Sequence, residues 1–321
     1  MSFKPILITN GEPNSIFLEI FLKAYNKKKF RSPIILISSY DLLKFNMKKL
    51  NLKFKIRKLK PKDLLNKKLD NSSINLIDIK YKFENKFQKI SKKSNKFIEK
   101  SFNVSFKIIK QGITDKFING PISKKSFLNK KYPGITEYVG KKFGVNKIAM
   151  LIYNKNLSVC PLTTRIPIKN VAKKINSKSI HEKVDLITSF FKKTRGINPK
   201  IGIVGLNPHC ESTDKSNEDD KIIKPCIKKL AKSGYRVSGP HPSDTIFLKK
   251  NREKFDVILG MYHDQVLTPI KTLYEYNAIN ITLGLPFIRI SPDHGPNEKM
   301  IGKNLSNPLS LIQAINFLDK N

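Results

Sequence analysis

Short apolar runs alternate with segments of helical period along this chain. The runs Pro5–Thr9, Pro33–Ser38, Lys53–Arg57, Lys116–Asn119, Ile148–Tyr153, Lys200–Gly205, Asp256–Gly260 and Ala278–Leu283 read as strands. Ser15–Tyr25, Ser91–Gln111, Ile180–Thr194, Asp219–Ser233 and Pro308–Leu318 read as helices. This alternation predicts an α/β protein with a largely parallel sheet. Such sheets bind ligands at the carboxyl ends of their strands. The stretch from Lys60 to Lys100 is lysine-rich and weakly patterned; it reads as solvated surface holding a short strand pair and the start of a long helix. There are no repeats and no G-x-G-x-x-G, so a nicotinamide cofactor would bind outside the usual Rossmann fingerprint.

Polar islands follow several predicted strands. Four of the five histidines lie in them, at 209, 241, 263 and 294, beside Pro, Asp, Cys or Tyr. Imidazoles with carboxylates, amides and a lysine at strand ends point to a metal or acid–base site. Asn207-Pro-His209 presents His209 at a strand tip, as ligand, acid–base group or helix cap. In Tyr262-His-Asp-Gln265, His263 is a ligand candidate and Asp264 either orients it or caps a helix. Asp244 is a candidate acid–base or orienting group, or an N-cap before Thr245. Lys271, Asn280 and Arg289 together suit a phosphate and a carboxylate, since arginine binds such anions through two parallel bonds. Gly120-Pro-Ile-Ser-Lys124 reads as an anion-receiving helix start or a plain turn capped by Ser123. Leu162-Thr-Thr-Arg-Ile-Pro167 is another strand-end island.

Composition narrows the classes. At 321 residues the chain can bury a core for one large or two medium domains. No apolar run is long enough to span a membrane. The amino-terminal residues 1–9 read as a strand and lack the features of a secretory signal. Three widely spaced cysteines, Cys160, Cys210 and Cys226, argue against a disulfide framework and for a reducing cytoplasm. The net charge of +37 comes from 55 lysines and only 7 arginines, scattered through Asn- and Ile-rich sequence as AT-rich codons would give. Specific nucleic-acid binders lean on arginine forks and stacking aromatics; few arginines and no tryptophan weigh against that partner. The field favours anionic substrates.

In order along the chain, Gly11-Glu-Pro13, Gly120 to Lys124, Gly134-Ile-Thr-Glu137, Leu162 to Pro167, Gly205 to His209, Gly239 to Phe247, Tyr262 to Gln265 and Asn280 to His294 resemble the 4-hydroxythreonine-4-phosphate dehydrogenase family of vitamin B6 biosynthesis. The resemblance implies an isocitrate/isopropylmalate dehydrogenase-like fold: two α/β domains with an interdomain cleft, in a homodimer with a shared active site. On this chain the first domain would be 1–115 plus 245–321 and the second, with dimer contacts, 116–244. The resemblance also implies NAD and a divalent metal (zinc, magnesium or cobalt). The reaction would be oxidative decarboxylation of 4-phosphooxy-L-threonine to 3-amino-2-oxopropyl phosphate, on the way to pyridoxal 5'-phosphate. The resemblance implies three metal-binding histidines, with the dimer partner completing the set; two of the positions fall on His209 and His263, and the third holds Arg165, which has no lone pair to give a metal. The family's substrate-binding His-Thr pair is Ile135-Thr136 here, so Thr136 carries over, with Lys271, Asn280 and Arg289 at the other substrate-contacting positions. Lys271 would touch phosphate or carboxylate and take part in proton transfer. Two other readings accompany the replaced histidines: a related dehydrogenase for another phosphorylated hydroxy acid, such as a four-carbon sugar acid phosphate, and a non-catalytic paralogue.

Overall fold

The computed structural model describes residues 3–84, 86–128, 131–212, 217–292 and 294–320, and of Lys124 the backbone alone. The first elements are β1 (Ile6–Thr9), α1 (Phe17–Lys27), β2 (Ile34–Ser38), α2 (Tyr40–Lys49), β3 (Ile56–Lys58), β4 (Ile74–Asp78), α3 (Asn95–Lys110), β5 (Lys116–Asn119) and α4 (Ile135–Lys142). There follow β6 (Ala149–Tyr153), β7 (Ser158–Thr163), α5 (Ser177–Arg195), β8 (Ile201–Val204), α6 (Lys224–Lys232), β9 (Val237–His241) and α7 (Lys249–Arg252). The last are β10 (Val257–Tyr262), α8 (His263–Tyr274), β11 (Ile279–Leu283), β12 (Ile288–Pro292) and α9 (Leu309–Lys320). No helix among the described residues is long and apolar enough to cross a membrane.

The chain folds as two compact units, one of residues 1–139 and 286–321, the other of residues 140–285. The borders expected after residues 115 and 244 fall inside these units. Strand β5 pairs with β1 and so stays with the first unit; β10 pairs with β7 and β8 and stays with the second.

In the first unit the strand order is β3-β4-β2-β1-β5-β12, all parallel. Strands β1 and β2 are buried along their whole length, as continuous apolar runs in a sheet covered on both faces must be. Helix α1 buries Phe17, Leu18, Ile20, Phe21, Leu22 and Ala24, and α3 buries Phe97, Ser101, Phe102, Ser105 and Phe106 at helical spacing. From β1 the chain goes to β2, skips to the edge strand β3, inserts β4 between them, and then returns to lay β5 on β1's other side. The order therefore reverses between β1 and β5, the place where open α/β sheets take ligands.

In the second unit the order is β11-β6-β7-β10-β8-β9. Strands β7, β10, β8 and β9 are parallel, while β6 is antiparallel to both β7 and β11. Ile152, Val159, Val204, Ile258, Val266 and Ile270 share one core cluster there. Helix α5 starts at Asn176, whose Oδ1 accepts from the Ser179 N–H at 2.9 Å, and stops at the left-handed Gly196.

Candidate active site

Three neighbouring strand tips of the second unit carry the polar islands. Thr163 at the end of β7 pairs with Tyr262 at the end of β10, and β10 in turn pairs with β8. The Thr163 hydroxyl donates to the Met261 carbonyl at 2.8 Å, tying the first two tips together. The buried Gln265 side chain ties the next two. Its Oε1 accepts from the Met261 N–H at 2.7 Å and its Nε2 donates to the Gly205 carbonyl at 2.8 Å. Arg165, His263 and His209 each follow one of these braced tips.

The turn bearing His209 is held from below by Asp219. That carboxylate is fully buried and accepts from the Leu206 and Asn207 N–H groups at 2.9 and 3.0 Å and from Asn207 Nδ2 at 2.9 Å. His209 itself is exposed and adopts φ 55°, in the left-handed region uncommon for a residue with a Cβ. His263 opens α8, and its Nδ1 lies 2.6 Å from Asp264 Oδ1. That contact fixes the ring and leaves Nε2 for a ligand or a proton. Asp264 therefore orients the imidazole, and the cap reading falls away: residue 262 is the N-cap and α8 has no side-chain cap. Asp219 and Gln265 were not among the expected site residues, and Thr163 was offered only as a ligand contact or an ordinary strand former. Their one sequence signal is position, each lying within or beside a polar island or at the start of a predicted helix.

Lys271 and Asn280 stand away from these tips. Asn280 is level with Ile152, which is level with Val159, which is level with Ile258. Val159 lies four residues before Thr163, so Asn280 is set back about 13 Å along the strand direction. Lys271 is exposed, eight residues after His263 in α8, about 12 Å back along a helix that retraces the sheet. Asn280 Oδ1 is buried with no hydrogen-bond partner among the described residues. Asp244 is exposed in a turn; α7 begins only at Lys249, so it does not cap a helix before Thr245. His241 is a packing residue: its ring lies 5.2 Å from that of Phe255 and its Nε2 is 2.9 Å from Ser238 Oγ. Burial, with Lys254 nearby, pushes its pKa below the usual histidine range.

The first unit joins Thr136 and Arg289. Arg289 is fully buried on β12; its Nε donates to Asn119 Oδ1 at 2.7 Å and its Nη1 to Thr136 Oγ1 at 3.1 Å. Asn119 ends β5, at the switch point of the sheet, and was missed in the sequence because an asparagine closing a strand is commonplace. In this conformation Arg289 organises Thr136 and Asn119 and meets no solvent. Across the same switch point the Gly11-Glu-Pro turn lies hard against the start of the β5 loop. Gly11 has φ 72°, and a Cβ there would collide with the Pro121 carbonyl oxygen. Thr9 Oγ1 and both side-chain polar atoms of Asn10 are buried there without partners among the described residues, as is Ser38 Oγ at the end of the neighbouring β2. Ser123 does cap the short turn after β5, accepting from the Ser126 N–H at 3.2 Å; the helix that follows, Lys124–Leu128, is a single turn. The side chain of Lys124 lies outside the described residues.

The donor set for a metal is short. Among the described residues no group of three or more His, Cys, Asp or Glu is placed to hold one. The tips offer His209 and His263, and the third neighbouring tip offers Arg165, whereas a catalytic zinc takes three protein ligands.

Comparison with known proteins decides the family. The profile described as "Pyridoxal phosphate biosynthetic protein PdxA" matches residues 29–318. The chain belongs to the PdxA family. A 4-hydroxythreonine-4-phosphate dehydrogenase from Sulfurihydrogenibium sp. (strain YO3AOP1) is 37% identical over 317 residues, covering 97% of this chain and 96% of that protein. A relative from Oceanobacillus iheyensis, whose name proposes a D-threonate 4-phosphate dehydrogenase, is 29% identical over 325 residues, covering 98% and 97%. The crystal structure of a 4-hydroxythreonine-4-phosphate dehydrogenase from Burkholderia phymatum superposes with a TM-score of 0.80 at 26% identity, covering 100% of this chain and 98% of that one. The PdxA fold is the α/β fold of the isocitrate and isopropylmalate dehydrogenase kind, as expected. As a PdxA protein, the chain is a dehydrogenase of vitamin B6 biosynthesis.

Proposed function

We propose that this chain oxidises 4-phosphooxy-L-threonine at C3 with NAD and releases carbon dioxide, forming 3-amino-2-oxopropyl phosphate for pyridoxal 5'-phosphate synthesis in the cytoplasm. The observation that carries this reading is the row of braced tips. An imidazole oriented by a carboxylate, a second imidazole and a guanidinium stand on three adjacent parallel strands, the equipment for taking a hydroxyl proton and steadying the oxygen it leaves. NAD, when bound, supplies the hydride acceptor. The buried hydroxyls and amide of Thr9 and Asn10 at the switch point, and of Ser38 on the adjoining strand, suit the neutral polar groups of a dinucleotide, its ribose hydroxyls or carboxamide, and these residues would hold it.

The chain's own groups then have distinct tasks. His263, oriented by Asp264, takes the C3 hydroxyl proton as the hydride departs. Loss of carbon dioxide breaks the C1–C2 bond, and its electron pair passes into an enolate at C2–C3, which is then protonated at C2. Lys271 would engage phosphate or carboxylate, with Asn280 as a hydrogen-bonding partner; Arg289 would hold Thr136 in place for substrate, and Asp244 would assist as an acid–base or orienting group. The set-back of Lys271 and Asn280 from the tips supports a homodimer in which two protomers share each site. No step is assigned to a resident metal, since two imidazoles are an incomplete donor set.

The test is NADH formation from 4-phosphooxy-L-threonine, run beside D-threonate 4-phosphate. The second substrate has its own support in the Oceanobacillus iheyensis relative. Turnover of the first alone upholds the proposal. Turnover of the second alone reassigns the substrate, and turnover of neither points to a non-catalytic paralogue.

A further inference from the structure

We infer that Arg165 is the resident cation of the strand-tip site and that this protein works without a bound divalent ion. The inference deepens the proposed function and rests on it for the identity of the reacting oxygen. Arg165 lies two residues beyond Thr163, which is in register with Tyr262 and whose hydroxyl holds the Met261 carbonyl at 2.8 Å. His263 is the residue after Tyr262, and neighbouring strands run about 4.8 Å apart. Gln265 extends the brace to Gly205, four residues before His209. Half-buried Arg165 thus stands just beyond the strand tip next to those that carry the two imidazoles.

Arginine cannot fill a metal donor's role. It has no lone pair and stays protonated at any accessible pH. Its fixed positive charge would moreover disfavour a divalent cation held near the same tips. It can fill the metal's electrostatic role. In the oxidation the C3–H electron pair leaves as hydride to NAD and the hydroxyl proton goes to a base, so negative charge gathers on the C3 oxygen. When the C1–C2 bond breaks, charge returns to that oxygen as the enolate. A guanidinium donor aimed at it stabilises both stages, the part a Lewis acid otherwise plays.

The experiment has two readouts. Metal content is measured on the full-length protein purified without chelators, for wild type, Arg165→His, Arg165→Lys and Arg165→Gln, each first shown to melt as wild type does. The expected result is substoichiometric metal in wild type, Arg165→Lys and Arg165→Gln, and stoichiometric zinc uptake by Arg165→His, which supplies a third imidazole. Turnover is measured in parallel, and wild type should be unchanged by a chelator. Arg165→Gln should lose about 100-fold in kcat/KM, the usual cost of removing one oxyanion donor, with Arg165→Lys between the two. Stoichiometric metal in wild type that disappears in His209→Ala or His263→Ala would overturn the inference. So would a folded Arg165→His protein that takes up no zinc. Neither metal result depends on turnover, so failure of the proposed substrate remains separately visible in the NADH assay.

Discussion

Glu12 is fully buried in the Gly11-Glu-Pro turn, with Oε1 accepting from the Asn14 N–H at 3.1 Å. Burial pushes its carboxyl above the ordinary 4.5; hydrogen bonds from Ser94 and Asn14 pull it back, and Glu298 pushes it up again. A carboxyl with a raised folded value holds its proton more tightly folded than unfolded. Its contribution to stability is full below the unfolded value and drains away as pH rises through the folded one. Glu12→Gln has no proton to lose. Its melting temperature should exceed that of wild type at about pH 8, and the gap should close below about pH 4.5. Melts across that range decide it, and a gap independent of pH would show that packing, not ionisation, sets the difference. Asn10, two residues earlier, gives the matching test of cofactor binding. Replacing its buried amide by alanine should raise the NADH dissociation constant roughly tenfold, about the worth of one lost hydrogen bond. Unchanged binding by fluorescence titration would remove Asn10 from the cofactor site.

At the scale of elements, the tips of β10 and β8 are joined by one side chain of α8. Replacing Gln265 by leucine leaves the Met261 N–H and the Gly205 carbonyl buried without partners. Denaturant unfolding should show a loss of roughly 3 kcal/mol, one to two for each orphaned group. A loss under about 0.5 kcal/mol would mean that water replaces the clamp. Strands with uniform apolar runs were plain in the sequence: β5 matches its expected range, and β1, β2, β6, β8 and β11 differ only at the ends. Strand β7 was not, because Ser158-Val-Cys-Pro-Leu-Thr163 carries a proline, which ordinarily argues against an inner strand. Helix α8 was hidden for two reasons. It begins inside a polar island that reads as a loop, and it contains Pro269. Helix α2 was masked by lysines: only Leu42, Leu43, Asn46 and Met47 of its ten residues are buried.

At the scale of the molecule, the histidines, Arg165 and the candidate anion-binding residues could be named from sequence, but their grouping could not. Grouping depends on strand register, which holds Arg165, His209 and His263 at one edge and sets Asn280 back, and on β12 returning to the first unit to bring Arg289 to Thr136. Composition leaves a different whole-molecule question, whether a net charge of +37 does anything. A phosphorylated amino acid and a dinucleotide are both anions, and a positive protein raises their local concentration in proportion to its unscreened field. The Debye length falls from about 14 Å near 0.05 M salt to about 4 Å near 0.5 M. Charges spread over the surface lose most of their reach in that interval, while contacts made directly to bound substrate keep theirs. The KM for the phosphorylated substrate should therefore rise about fivefold or more across it, with kcat nearly constant, since the chemical step uses only the groups at the site. Initial rates at saturating NAD, in chloride rather than phosphate or sulfate, give both constants. A KM that stays flat would mean that the lysines contribute nothing to substrate capture and that only the local contacts matter. A kcat that falls in step with the KM rise would instead place a salt-sensitive charge pair within the reacting site.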